Sequence, residues 1–220
     1  WVHNRQDEWE WYAAFSDGIR TANTDILSAA EADYALTGRV NWKWAGDWKQ
    51  FKDFTSPQGS EYAGQLGAAV HWQSGGSTAP ETDPNSEVFL VTVDAQAEFD
   101  GWNLYGAFVW AQNKPTTTRF HDMGAVVQGG VYVTETDELF ARWDAIFADS
   151  DRGWPDDSVN ALTFGWNHYF IPNSHAAKFT ADLLWSLNKT EDTGGLATGG
   201  TGTGLLGDDD SGEISVRAQF

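Results

Sequence analysis

The sequence contains no cysteine, which excludes disulfide scaffolds, thiolate zinc sites and thiol catalysis together. Basic residues are scarce. Lys and Arg number 13 against 32 Asp and Glu, a formal charge of −19 over 220 residues, and this argues against nucleic acid as a partner. Long apolar runs are also missing. The longest are pieces such as Val88-Phe89-Leu90-Val91 and Leu183-Leu184-Trp185, far below the roughly 18–20 residues of a membrane-spanning helix. Helical membrane topology is thereby excluded. A membrane-crossing sheet is not, because alternating strands average out in hydropathy. The chain opens on Trp1 with neither an initiator Met nor a signal-peptide pattern, so the expectation is a cleaved or missing N-terminal portion.

Aromatic side chains are abundant. There are 13 Trp, 13 Phe and 6 Tyr, 15% of the residues, beside 23 Gly and a mean hydropathy of −0.45. An acidic water-soluble domain has little use for so much tryptophan. The pattern of these residues accounts for it. Tyr34, Leu36, Gly38, Val40, Trp42 and Trp44 alternate with Ala35, Thr37, Arg39, Asn41 and Lys43. Phe89, Val91, Val93, Ala95, Ala97 and Phe99 alternate with Leu90, Thr92, Asp94, Gln96 and Glu98. The same period of two, the signature of strands with one apolar and one polar face, recurs along the chain. It predicts ten strands, at about 8–16, 33–45, 61–74, 86–99, 102–112, 124–134, 137–148, 159–170, 177–187 and 213–220. Most match the roughly 9–11 residues of a tilted membrane strand and exceed the usual five or six. No composition boundary divides the chain, so residues 1–220 read as one all-β domain.

Connections alternate in length. Asp17–Ala32, Ser74–Ser86, Asn113–Met123, Ala148–Ser158 and Asn188–Gly212 are long, whereas Asp100-Gly101, Glu135-Thr136 and Ile171–Ala176 are short. This is the asymmetry of long extracellular loops and short periplasmic turns in a transmembrane antiparallel β-barrel. Gly46–Ser60 breaks it, being long on the short side. Trp42, Trp44, Trp72, Trp110, Trp166 and Trp185 fall toward strand ends, where an aromatic girdle contacts lipid headgroups. A soluble barrel or sandwich explains alternation equally well, but neither the loop asymmetry nor a face this rich in Trp. The chain ends on an alternating strand closed by Phe220, the form of the signal read by the outer-membrane insertion machinery.

Several segments resemble the C-terminal half of planctomycete-type porins, akin to the phosphate-selective (O and P type) porin superfamily. They are Gly46-Asp-Trp-Lys-Gln-Phe-Lys-Asp-Phe-Thr55, Gly67-Ala-Ala-Val-His-Trp-Gln73, Val127-Gln-Gly-Gly-Val-Tyr132, Glu138-Leu-Phe-Ala-Arg142, His175-Ala-Ala-Lys-Phe-Thr-Ala-Asp182 and Val216-Arg-Ala-Gln-Phe220. The resemblance spans roughly residues 30–220, loops excepted. It implies an outer-membrane, trimeric barrel of 16–18 strands, of which the ten visible strands would be the C-terminal part. It also implies that Asp47–Thr55 is an ordered insertion at the periplasmic rim.

If alternation sets the faces, the pore lining includes Arg39, Lys43, Asp94, Glu98, Glu138, Arg142, Asp144, Lys178, Asp182 and Arg217, together with Glu8, Glu10, Asp33 and Glu213. That wall holds five basic against nine acidic groups, so it predicts mixed or mildly cation-preferring passage. The superfamily's phosphate path would need a lysine ladder, which the sequence lacks, and phosphate selectivity is not expected. The same charges could instead be ion pairs stiffening the wall. Glu138, Arg142 and Asp144 share a strand face, and an ion-paired cluster is the better reading than a carboxylate-pair hydrolase. His3, His71, His121, His168 and His175 have no metal-ligand spacing. Asp208-Asp209-Asp210 is a weak candidate for loop-bound Ca²⁺, better read as a solvated loop tip, and no cofactor is expected otherwise. Gly199–Gly204 resembles a phosphate loop without the helix such a loop needs, and Asn188-Lys189-Thr190 is a weak glycosylation sequon. The function expected is a non-enzymatic porin passing small hydrophilic solutes. The alternatives are a structural or adhesive cell-surface barrel acting through acidic loops, and a soluble carbohydrate-binding β protein.

Overall fold

The structure is a computed structural model that describes residues 1–16, 18, 34–74, 87–114, 118–153, 157–174, 176–187 and 212–219, the last span for its backbone alone. The fold is all-β. Among the described residues eleven strands form one sheet in sequence order: β1 (Val2–Arg5), β2 (Trp9–Ser16), β3 (Tyr34–Ala45), β4 (Ala63–Ser74), β5 (Glu87–Phe99), β6 (Trp102–Lys114), β7 (Phe120–Tyr132), β8 (Asp137–Phe147), β9 (Ser158–Tyr169), β10 (Lys178–Ser186) and β11 (Gly212–Gln219). Helical geometry among the described residues is confined to single turns at Gln50–Lys52 and Ser150–Arg152. Among the described residues no helix is long and apolar enough to cross a membrane, which says nothing of crossing by strands. Internal contacts divide the chain into two compact units. One comprises Trp1–Lys43, Leu66–Asp94 and Phe108–Met123; the other comprises Trp44–Gln65, Ala95–Ala107 and Gly124–Phe220.

All ten expected strands are present, with ends displaced by four residues at most. Two expectations require correction. The first is the count, because β1 precedes the first expected strand. Four residues are too few to show alternation, and β1 exists because it pairs with β2, from Val2↔Ala13 to Arg5↔Glu10. Glu8, expected on a strand facing the lumen, lies instead in the exposed bend between β1 and β2. The second is the Asn113–Met123 connection, into which β6 runs as far as Lys114 and from which β7 starts at Phe120. Lys114 pairs with Glu87 at 3.7 Å. Within β6 and β7, Trp110 stacks on His121 at 5.5 Å. Side-chain pairing thus carries the strands through a polar stretch.

Burial is inverted relative to a water-soluble sheet. Among the described residues the buried apolar and aromatic side chains are few and mostly small: Ala35, Ala63, Tyr132, Ala145 and Tyr169. The buried polar ones are more numerous and include Glu10, Asn41, His71, Asp94, Glu98, Asn103, Glu138, Asn167 and Asp182. Large apolar side chains stay exposed along the strands, for instance Trp11, Val40, Val70, Leu104, Val127, Leu139, Phe164 and Leu183. Each such side chain left in water forgoes roughly 1.5–3 kcal/mol of burial, and soluble monomers rarely expose apolar patches beyond a few hundred Å².

Turn chemistry fixes the short connections. In the turn between β7 and β8, Thr134 Oγ1 donates to Asp137 Oδ2 at 2.6 Å and accepts from the backbone N–H of Asp137 and Thr136 at 2.9 and 3.2 Å. Backbone bonds then tie successive turns together: Tyr132 N–H to Gly101 O at 2.7 Å, and Tyr169 N–H to Thr136 O at 2.8 Å.

Candidate functional site

Of the expected lining charges, Glu10, Arg39, Lys43, Asp94, Glu98, Glu138, Arg142, Asp144, Lys178 and Asp182 lie on described strands, and each compact unit organises its own share. In the unit containing β1 and β2, Arg39 on β3 grips Asp94 on β5 through two parallel bonds, Nη1–Oδ2 at 2.7 Å and Nη2–Oδ1 at 2.8 Å. Such forks are strong because both partners are ionised and the geometry fits twice. Gly67 lies beneath the pair. A Cβ there would overlap Arg39 Nη2 and come within 2.7 Å of Asp94 Oδ1. Nearby, the buried Glu10 accepts from His3 Nε2 at 3.0 Å, from Arg5, and from Asn41 Nδ2 at 3.1 Å. Thr37 Oγ1 and His71 Nδ1 bond across β3 and β4 at 2.7 Å. Lys43, also an expected lining residue, is half-buried with bonded neighbours.

The second unit centres on Glu138 at the start of β8, 2% exposed. Its Oε1 accepts from Asn103 Nδ2 at 3.1 Å, and its Oε2 accepts from Asn167 Nδ2 at 2.9 Å and Tyr169 OH at 2.8 Å. Three donors replace the water that a buried carboxylate loses. Gly130 makes the room, since a Cβ there would meet Glu138 Oε1 and Asn103 Nδ2. Tyr132 stacks on Tyr169 at 5.5 Å, and Lys178 Nζ sits 5.8 Å from the centre of the Tyr169 ring. Thr180 Oγ1 extends the network to Asn167 Oδ1 at 2.6 Å. Asp182, 7% exposed, shares its register with Gly165 and Ser215.

The segment between β3 and β4 covers another carboxylate. Glu98, 2% exposed, accepts from Gln96 Nε2 at 3.0 Å, and the same amide nitrogen donates to the backbone oxygen of Asp53 at 2.6 Å. Phe54 packs on Tyr105 of β6 with ring centres 4.6 Å apart.

No family model matches the chain, and no curated protein or solved structure matches it either. The site must therefore be read from its own chemistry. Glu138 does not join Arg142 and Asp144, as a shared strand face suggested. Arg142 Nε binds Asp144 Oδ2 at 2.7 Å, with both side chains about 40% exposed, while Glu138 is consumed by its neutral donors. The reason is register. Opposite Glu138 stands Asn167, close enough to bond and too short to reach along the strand. Arg217 stands opposite Thr180 in the backbone register; its side chain is outside the description. Phe220, Asp33, His175 and the Asp208-Asp209-Asp210 cluster lie outside the described residues. Among the described residues no three His, Asp or Glu converge as metal ligands.

The expected girdle residues gather into aromatic pairs. Trp42 stacks on Trp9 at 6.1 Å, and Trp72 meets Tyr34 edge-on at 5.4 Å. Trp110, half-buried, lies between Phe89 and His121. In the other unit Trp44 donates Nε1–H to Tyr62 OH at 2.8 Å, Tyr62 contacts Phe99 at 5.0 Å, and Phe99 stacks on Trp102 at 3.8 Å. That row crosses β3 to β6 beside the Asp100-Gly101 turn. Trp166 donates to Asp137 Oδ1 at 3.0 Å and packs edge-on against Phe179 at 5.8 Å. Trp185 is 51% exposed. Sequence reasoning missed Tyr132 and Tyr169, which alternation places opposite Val131 and His168. The signal was available, since both continue the polar face of their strands.

Proposed function

We propose that this chain forms the wall of an outer-membrane β-barrel porin, in which small hydrophilic solutes and ions diffuse passively along the polar face. One observation carries the reading: the large apolar side chains lie on the exposed face while carboxylates, amides and hydroxyls are buried. A bilayer is the solvent in which that arrangement is stable, because lipid solvates the apolar face and strands satisfy every backbone group laterally. The aromatic row at the turn end of β3 to β6 suits headgroup depth, where an indole or phenol has one apolar and one hydrated side. Asp94 and Glu10 are neutralised by arginine in the first unit. Glu138 and Glu98 take hydrogen bonds from neutral donors in the second. Fixed negative charge near a path favours cations, which supports a mild cation preference. The resemblance to planctomycete-type porins points the same way and adds a trimer, assembled by the outer-membrane insertion machinery and bathed in outer-membrane lipid.

The test is detergent extraction, heat-modifiable migration on a denaturing gel, and single-channel recording in a salt gradient. Discrete conductance steps with a reversal potential on the cation side are expected. Full solubility without detergent, or strong anion selectivity, would refute the reading.

A further inference from the structure

The connection from β3 to β4 is far longer than turning requires. Its counterparts at the same ends of later strands include Asp100-Gly101 and Val133–Thr136, and the one from β9 to β10 spans 170–177. The extra residues do not extend into solvent. They fold back over the polar face and are held at several points. Gln96 Nε2 donates to Asp53 O at 2.6 Å, and Ser56 Oγ donates to Phe99 O. Gly59 N–H donates to Asp100 Oδ1 at 2.5 Å, Gly101 N–H to Pro57 O at 3.2 Å, and Gln58 Nε2 to Tyr132 O at 3.4 Å. These bonds reach β5, the turn after it, and β7, so the segment is strapped across the sheet. Gly46 and Gly59, both with left-handed φ of +79° and +87°, reverse the chain at its two ends.

Phe54 stands out on this strap. It rests on Tyr105, a polar-face residue, yet remains 43% exposed. A phenyl ring on the water side gains nothing from lipid. What it does have is bulk, held in place by a backbone with bonds on both flanks. On the porin reading above, on which this inference rests, we propose that the 46–60 strap is a fixed constriction in the permeation path and that Phe54 is its size-limiting side chain. Glu98 lies buried beneath the strap and does not face the path, so the passage selects by bore. The solutes it suits are compact hydrophilic molecules and ions.

The experiment is single-channel recording of the full chain in planar bilayers, with polyethylene glycols of graded size to find the largest that enters. Phe54→Ala should raise conductance and shift the polymer cut-off upward, whereas Phe54→Trp should lower both. Opposite changes from two substitutions at one site do not arise from damaged folding, which heat-modifiable migration checks directly. Phe164→Ala, on the apolar face, should conduct like the parent. Parent-like conductance and cut-off in both Phe54 variants would overturn the strap's role while leaving the channel intact. A parent chain that inserts but shows no conductance would overturn the porin reading, and this inference with it.

Discussion

Leu183 offers the sharpest test of which solvent faces the apolar side. It sits within β10, between Phe164 of β9 and Ile214 of β11 in register, and is 42% exposed. In a water-soluble sheet, Leu183→Arg would place a charge where water already is, and surface changes of that kind stay within about 0.5 kcal/mol. In a bilayer the guanidinium must enter hydrocarbon, which costs about 2–4 kcal/mol near the midplane of a barrel. At about 1.4 kcal/mol per factor of ten, the folding constant should fall roughly 30- to 700-fold. Depth supplies an internal control. Ile171, 51% exposed and just past the end of β9, would lie at interface height on the porin reading, where an arginine costs about 0–1 kcal/mol. The assay is reversible guanidinium unfolding of the protein folded into lipid vesicles, followed by tryptophan fluorescence. A loss below about 0.5 kcal/mol for Leu183→Arg, or equal losses at both positions, would refute a lipid-facing assignment.

Further outcomes follow from the same geometry. Glu138→Ala strands the donors of Asn103, Asn167 and Tyr169; at about 1–3 kcal/mol for each unmet buried donor, denaturant titration should show a loss of at least about 2 kcal/mol. Gly46→Ala puts a Cβ against Ala63, whose Cα would lie at 2.8 Å, whereas at Gly59 nothing lies within 4 Å. The left-handed backbone costs about 1–2 kcal/mol at either position, so Gly46→Ala should unfold at distinctly lower denaturant than Gly59→Ala. Arg142→Glu combined with Lys178→Glu should move the reversal potential in a salt gradient further to the cation side; an unchanged potential would place both side chains off the permeation path.

Strands were readable in the sequence because a sheet with unlike faces writes its period directly into residue order, as in Tyr34–Ala45 and Glu87–Phe99. What alternation cannot encode is partnership across distance. The Arg39–Asp94 fork joins residues 55 apart in sequence, and nothing in either strand alone announces it. Glu138 shows the converse error. Its neighbours along β8 suggested an ion pair with Arg142, but lateral neighbours lie closer in a sheet than residues four positions along a strand, and Asn103 and Asn167 claimed it. The 46–60 segment was visible as an anomaly of length, and its placement at the rim came from the resemblance alone. Its course over the polar face is fixed by bonds such as Gln96 Nε2 to Asp53 O and Gln58 Nε2 to Tyr132 O, between residues with no pattern in common.

The glycines of the polar face have a consequence for anything that moves along it. Gly67 leaves space for Arg39, Gly130 for Glu138, and Gly165 for the ring of Phe140. In each case a long side chain reclines into the gap left by its neighbour's missing one. Charge and ring are therefore carried at backbone height, like inlay rather than relief. A hydrated ion travelling over such a surface meets a patterned potential with little steric roughness, and the protein can alter one without altering the other. Restoring a side chain at any of these three positions would raise its neighbour off the floor and couple the two again.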